Sequence, residues 1–176
     1  MDEEKDLEML RSAIEAGDLE SAKSALQSQL QRIDQAQVAN LVIQYVQLYV
    51  PRFESLYPEE TWIEECLQSV QTAMFTKEQT ERLPVFPHRS RKYDNPITRA
   101  FLDAISSLWS MVRWKDRKDV FAEYASNAIS SIITVIRVDS KNWVPQRFVS
   151  EFEQSANSIE FGRKLWLDLC NRLLAI

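Results

Sequence analysis

The sequence predicts an all-α protein, a compact bundle or short solenoid of seven to eight antiparallel helices in one domain. Three observations predict it. The first is the stretch 116–138. Its apolar residues Phe121, Tyr124, Ala125, Ala128, Ile129, Ile132, Ile133 and Ile136 recur every three or four positions and so line one stripe of a helix. The β-branched run 132–138 would suit a strand, but Ser130-Ser131-Ile132-Ile133 lacks the alternation that a strand needs. The second is the glycine count, 2 in 176 residues, against an average near 7%. Tight hairpins, phosphate loops and nucleophile turns draw on glycine for positive-φ positions. The third is that helix start and stop residues stand between the apolar stripes.

In chain order, 2–16 carries Leu7, Leu10 and Ile14 on a narrow stripe behind an acidic start that suits the positive end of the helix dipole. Gly17 ends this helix as a left-handed C′ residue and Asp18 caps the next. Helix two presents Leu19, Ala22, Leu26, Leu30 and Ile33. Asp34 caps helix three, whose wide apolar arc of Val38, Leu41, Val42, Tyr45, Val46, Leu48 and Tyr49 is expected to stop at Pro51. Pro58 is placed in the first turn of helix four, which carries Trp62, Ile63, Cys66, Leu67, Val70, Ala73 and Met74 and fades near Arg82. Residues 83–95 are read as one long irregular loop, expected to project from the body and to join two halves, 1–82 and 96–176. Asn95 and Pro96 open helix five, with Ile97, Phe101, Ala104, Ile105, Leu108, Trp109 and Val112 on one face. Lys115-Asp116 turns the chain into the central helix. Pro145 opens a further helix with Phe148, Val149 and Phe152, and Asn157 caps a last one holding Ile159, Leu165, Trp166, Leu169, Cys170 and Leu173. Gly162, inside that last pattern, marks a close approach between helices.

The corner Ile14-Glu15-Ala16-Gly17-Asp18-Leu19-Glu20-Ser21-Ala22 resembles the inter-helix corner of tetratricopeptide-type repeats. The resemblance covers this corner alone, and no second copy follows at a period of about 34 residues. It therefore implies a shared way of turning between helices.

Catalytic signatures are sparse. With only Gly17 and Gly162, neither a nucleophile elbow, a phosphate-binding loop nor a dinucleotide fingerprint can be written. His88 is the only histidine, so a metal site of helix-paired histidines is excluded. It is read as an ordinary loop residue. Cys66 and Cys170 fall on apolar stripes and are read as buried free thiols. Glu60 and Glu64, one turn apart among Glu59 and Glu65, could serve as an acid–base pair. Their position opposite Trp62 and Ile63 makes them a solvated face instead. The reading is therefore a non-enzyme with no cofactor and no metal. The start Met1-Asp2-Glu3-Glu4 has no apolar core of a signal peptide, and no run of about 18 apolar residues occurs, so the expectation is a cytoplasmic protein off the membrane.

Charge is the informative property. Residues 1–76 hold 14 acids and 5 bases, net −9; residues 77–118 hold 5 acids and 10 bases, net +5; residues 119–176 are near neutral at −1. The positive part concentrates in the loop 82–92 and the corner 113–118. Arg89, Arg91, Lys92, Tyr93, Trp114, Arg117 and Lys118 are accordingly the candidate partner-binding residues. Trp114 lies two residues off its helix stripe and Trp143 lies in a loop. Aromatic residues in such places serve binding surfaces or close the end of a core. The function expected is protein–protein interaction, in one form an immunity- or antitoxin-like protein capping a basic partner with the acidic first half. The alternative is anion or nucleic-acid binding through the basic loop and corner, although an acidic chain suits nucleic acid poorly.

Overall fold

The computed structural model describes residues 2–76, 93 and 95–176, with side chains from Lys5 onward. Among these residues there are eight α-helices and no strand. They are α1 (Asp2–Ala16), α2 (Leu19–Leu30), α3 (Gln35–Leu56), α4 (Trp62–Phe75), α5 (Pro96–Arg113), α6 (Lys118–Asp139), α7 (Val149–Glu153, after a 3-10 turn at Gln146–Phe148) and α8 (Ser158–Leu174).

The caps are where the sequence puts them. Gly17 has φ +73°. The Asp18 amide donates to Ala13 O at 2.9 Å and the Gly17 amide to Ile14 O at 3.1 Å, the bond pair of a Schellman ending. The side chains of Asp18, Asp34, Asn95 and Asn157 accept amides from the first turns of α2, α3, α5 and α8. These bonds satisfy donors that have no partner inside the helix.

Helix α6 is the centre. It packs against α2, α3, α5 and α8, and Phe121, Ala125, Ala128, Ile129, Ile132, Ile133 and Ile136 are at most 1% exposed. Around it, α1 packs on α2 and α8, while α3 and α5 pack on each other and on α4. All contribute to one continuous core cluster.

Four expectations are corrected. Pro51 does not end α3, which continues to Leu56. The lost backbone bond and ring clash cost about 3 kcal/mol, but the extra turns deliver Phe53, fully buried against Tyr57, Trp62, Tyr93 and Phe101 at centroid distances of 5.0–6.3 Å. They also deliver Arg52 to Asp139. Helix α4 begins at Trp62 and ends at Phe75, so Pro58 lies in the preceding turn and Thr76 follows the helix in extended backbone. Leu19 and Ile159 are 46% and 73% exposed. Each sits in the first turn of its helix, where the side chain overhangs the end of the core. Tyr93, in the loop read as projecting, is buried edge-on against Tyr57 at 5.1 Å. Gaining that aromatic contact and the burial of a large ring outweighs solvation of its end of the loop.

Candidate functional site

The α5–α6 corner is held by its own backbone and by one lysine. The Arg117 amide donates to Trp114 O at 2.9 Å and closes the turn. Lys115 reaches across to the end of α4, where its Nζ donates to Ala73 O at 2.7 Å and Thr76 O at 3.0 Å. Those carbonyls lack partners within α4, and an ammonium there is also favoured by the negative end of the helix dipole. Gln35 Nε2 in turn donates to Lys115 O at 2.6 Å. The start of α3, the end of α4 and the α5–α6 corner therefore meet at one junction.

Two aromatic residues stand open at this junction, Phe75 at 63% and Trp114 at 43% exposure. Arg113, Arg117 and Lys118 are exposed in the same corner as Trp114. Arg117 pairs with Asp119 at 2.9 Å, and both side chains are well exposed. That hydrogen bond and the Val120 amide hold the Asp119 carboxyl below the usual range. Arg117 also occupies the N-cap of α6 and, having only donors, gives that helix end no side-chain cap. The positive end of a 22-residue helix thus faces the same side as Arg117 and Lys118. The surface can hold apolar side chains against the two rings and carboxylates or phosphates against the cations.

Of the residues predicted from sequence, Trp114, Arg117 and Lys118 are together on this surface. Tyr93 is not; it belongs to the core beside Phe53 and Tyr57. Arg89, Arg91 and Lys92 lie outside the described residues, as does His88. Trp143 closes the core, edge-on to Tyr49 at 5.5 Å. Phe75 was missed, although the signal existed. It lies off the Ile63–Cys66–Leu67–Val70–Ala73 stripe and so had to point outward once α4 reached it.

The polar and thiol groups elsewhere in the core are engaged in structure. Tyr49 OH and Arg52 Nε both donate to Asp139 Oδ2, at 2.8 and 2.9 Å, and Asn142 Nδ2 donates to Oδ1 at 3.0 Å. Burial raises the Asp139 pKa, but these three bonds outweigh it and hold the carboxyl below its ordinary value. One turn earlier on α3, Tyr45 OH donates to Asp168, which also accepts from Arg147 and Arg172 at 2.7 and 3.0 Å. Both phenols are pushed up by burial and by their carboxylate partners. Cys66 and Cys170 are buried free thiols, raised to about 12 and about 11 by loss of water, with Arg11 pulling Cys170 partly back. Thiols this far from ionisation are poor nucleophiles. Trp62 Nε1 donates to Glu60 at 3.0 Å, so part of the Glu59–Glu65 cluster serves the start of α4. Among the described residues no group of three or more His, Cys, Asp or Glu side chains is placed to hold a metal ion, and no helix is long and apolar enough to cross a membrane.

Fold and site together define a class, an all-α bundle with an open cationic-aromatic junction. Comparison of the chain with protein-family models, with curated proteins and with solved structures finds no match.

Proposed function

We propose that the chain is a non-enzymatic interaction module that docks a protein partner on the junction of α4, α5 and α6. The observation that carries this reading is the exposure of Phe75 at the end of α4, and of Arg113, Trp114, Arg117 and Lys118 at the α5–α6 corner, at the junction that Lys115 ties together. Exposed aromatics anchor interfaces, and surrounding charges select the partner and speed its arrival. The matching partner surface is acidic with apolar anchors. The basic residues Arg89, Arg91 and Lys92 follow α4 in the sequence and belong to the same basic stretch, 77–118. A cytoplasmic location is part of this proposal.

A second reading uses the acidic residues of the first four helices. Glu8, Glu15, Glu20, Glu54, Glu59 and Glu64 are exposed on α1–α4 and the α3–α4 turn. They favour an immunity-like role in which this acidic side caps a basic partner.

The test is affinity capture from the native host with three baits: the parent chain, Trp114→Ala with Arg117→Glu and Lys118→Glu, and Arg89→Glu with Arg91→Glu. A partner that binds the parent, is lost by the first variant and binds more weakly to the second supports the junction, provided both variants melt like the parent. Retention should also fall as salt rises, since exposed charges are screened within about 8 Å at physiological ionic strength. A partner held equally by all three baits removes the junction reading and leaves the acidic surface. Salt-sensitive binding of single-stranded oligonucleotide that quenches Trp114 would replace a protein partner with nucleic acid.

A further inference from the structure

A groove of about 400 Å³ runs between the α1–α2 corner, α6 and the start of α8, away from the junction. That volume is within the range that encloses small organic ligands, about 300–1,000 Å³. Ile14, Leu19, Ile133 and Trp166 give it apolar walls, and Ile159 stands at its edge. Leu19 and Ile159 are among the large apolar residues left open to water. Both belong to first turns held in place by caps, Asp18 for α2 and Asn157 for α8. The walls are therefore set by rigid helix starts.

The charged residues of the rim are Glu15, Arg137, Glu160 and Arg163. They are not equivalent. Glu160 Oε2 accepts the Ala156 amide at 2.8 Å and sits in the first turn of α8, where the helix dipole compensates it. Glu15 belongs to α1. Arg137 and Arg163, on α6 and α8, form no ion pair among the described residues. Gly162 is what lets the Arg137 stem lie against α8, since a methyl group there would overlap its Cδ. The Arg137 stem lies directly on α8, one residue from Arg163. By contrast, the larger cleft of about 610 Å³ beside α1 and the end of α8 has its Arg32 already paired with Asp6 at 3.0 Å.

We propose that this groove binds a small apolar carboxylic acid, its hydrocarbon body against Ile14, Leu19, Ile133 and Trp166 and its carboxylate at Arg137 and Arg163. Apolar walls beside two guanidinium groups that form no ion pair among the described residues complement such a molecule in shape and charge. A charge-assisted hydrogen bond, unlike a neutral one, then decides between a carboxylate and the matching alcohol.

The test is titration calorimetry of the full chain with octanoate and with 1-octanol, both below the concentrations at which they aggregate. Octanoate should bind saturably at one site per chain, and octanol about tenfold or more weakly. Arg137→Gln with Arg163→Gln should melt like the parent and bind octanoate no better than octanol. Gly162→Ala keeps both charges but displaces the Arg137 stem, and it should weaken octanoate while leaving octanol unchanged. Absence of saturable octanoate binding, or equal affinity in the arginine variant, overturns the proposal. So does a dimer in sedimentation equilibrium that Leu19→Ser with Ile159→Ser dissociates, because the groove would then be covered by a second copy.

Discussion

Asp139 shows how much of the architecture rests on single polar side chains. It closes α6, its side chain is 3% exposed, and it binds Arg52 and Tyr49 from α3 and Asn142 from the following turn. Removing it strands a partly buried guanidinium and a phenol. Asp139→Ala should therefore cost about 2–4 kcal/mol, seen as a lower denaturation midpoint. Its lowered pKa has a direct consequence for acid stability. The folded carboxyl binds a proton less readily than the unfolded one. The stabilisation is thus complete above the unfolded value of about 3.9 and is lost as pH falls through the folded value. Asp139→Asn should flatten the acid limb of the stability profile; an unchanged limb would remove Asp139 from its causes. This network was not legible in the sequence. Asp139 reads there as the start of a loop, and its partners on α3 lie some 87–90 positions away.

At the scale of elements, short-range chemistry was legible and its override by packing was not. Asp18, Asp34, Asn95 and Asn157 act within three residues of themselves, so sequence alone places them. Pro51 is different. Its penalty is local, but the compensation comes from Phe53 meeting rings on α4, α5 and Tyr93. Since Pro51 is exposed and α3 runs through it, Pro51→Ala restores an amide donor and relieves the clash. Stability should rise by about 1–2 kcal/mol, less than the full helix-interior penalty of about 3 because the unfolded chain gains freedom. A fall in melting temperature would show that the proline is favoured where it stands. The candidate site divides in the same way. Trp114, Arg117 and Lys118 are neighbours in sequence and were found from charge and stripe position. Phe75 joins them only through the reach of Lys115 to the end of α4, a contact across about 40 positions.

For the molecule as a whole, α6 is the axis that the apolar stripe predicted, and it touches α2, α3, α5 and α8. Ile132 is fully buried there. Ile132→Asp should abolish cooperative unfolding, because an unpaired carboxylate would have to leave water at the centre of the only core cluster described. A variant melting within a few degrees of the parent would displace α6 from that role. The chain-wide charge division was also legible, but its use was not. Arg32 and Arg52, two bases of the acidic first part, turn out to pair with Asp6 and Asp139, and Arg52 does so across the core.

Tyr45 and Tyr49 sit one turn apart on α3 and grip carboxylates from α8 and α6. Two anchors on one rod, each tied to a different strut, leave that rod unable to roll or to slide without breaking both. Helices α3, α6 and α8 should then open as a single unit. Their slowest amides should exchange with solvent at one shared rate, while α4, tied at its far end by Lys115, is free to open earlier. Tyr45→Phe with Tyr49→Phe should split that shared rate and let α8 exchange ahead of α6. Separate rates in the parent chain would mean that the two tyrosines only fill space.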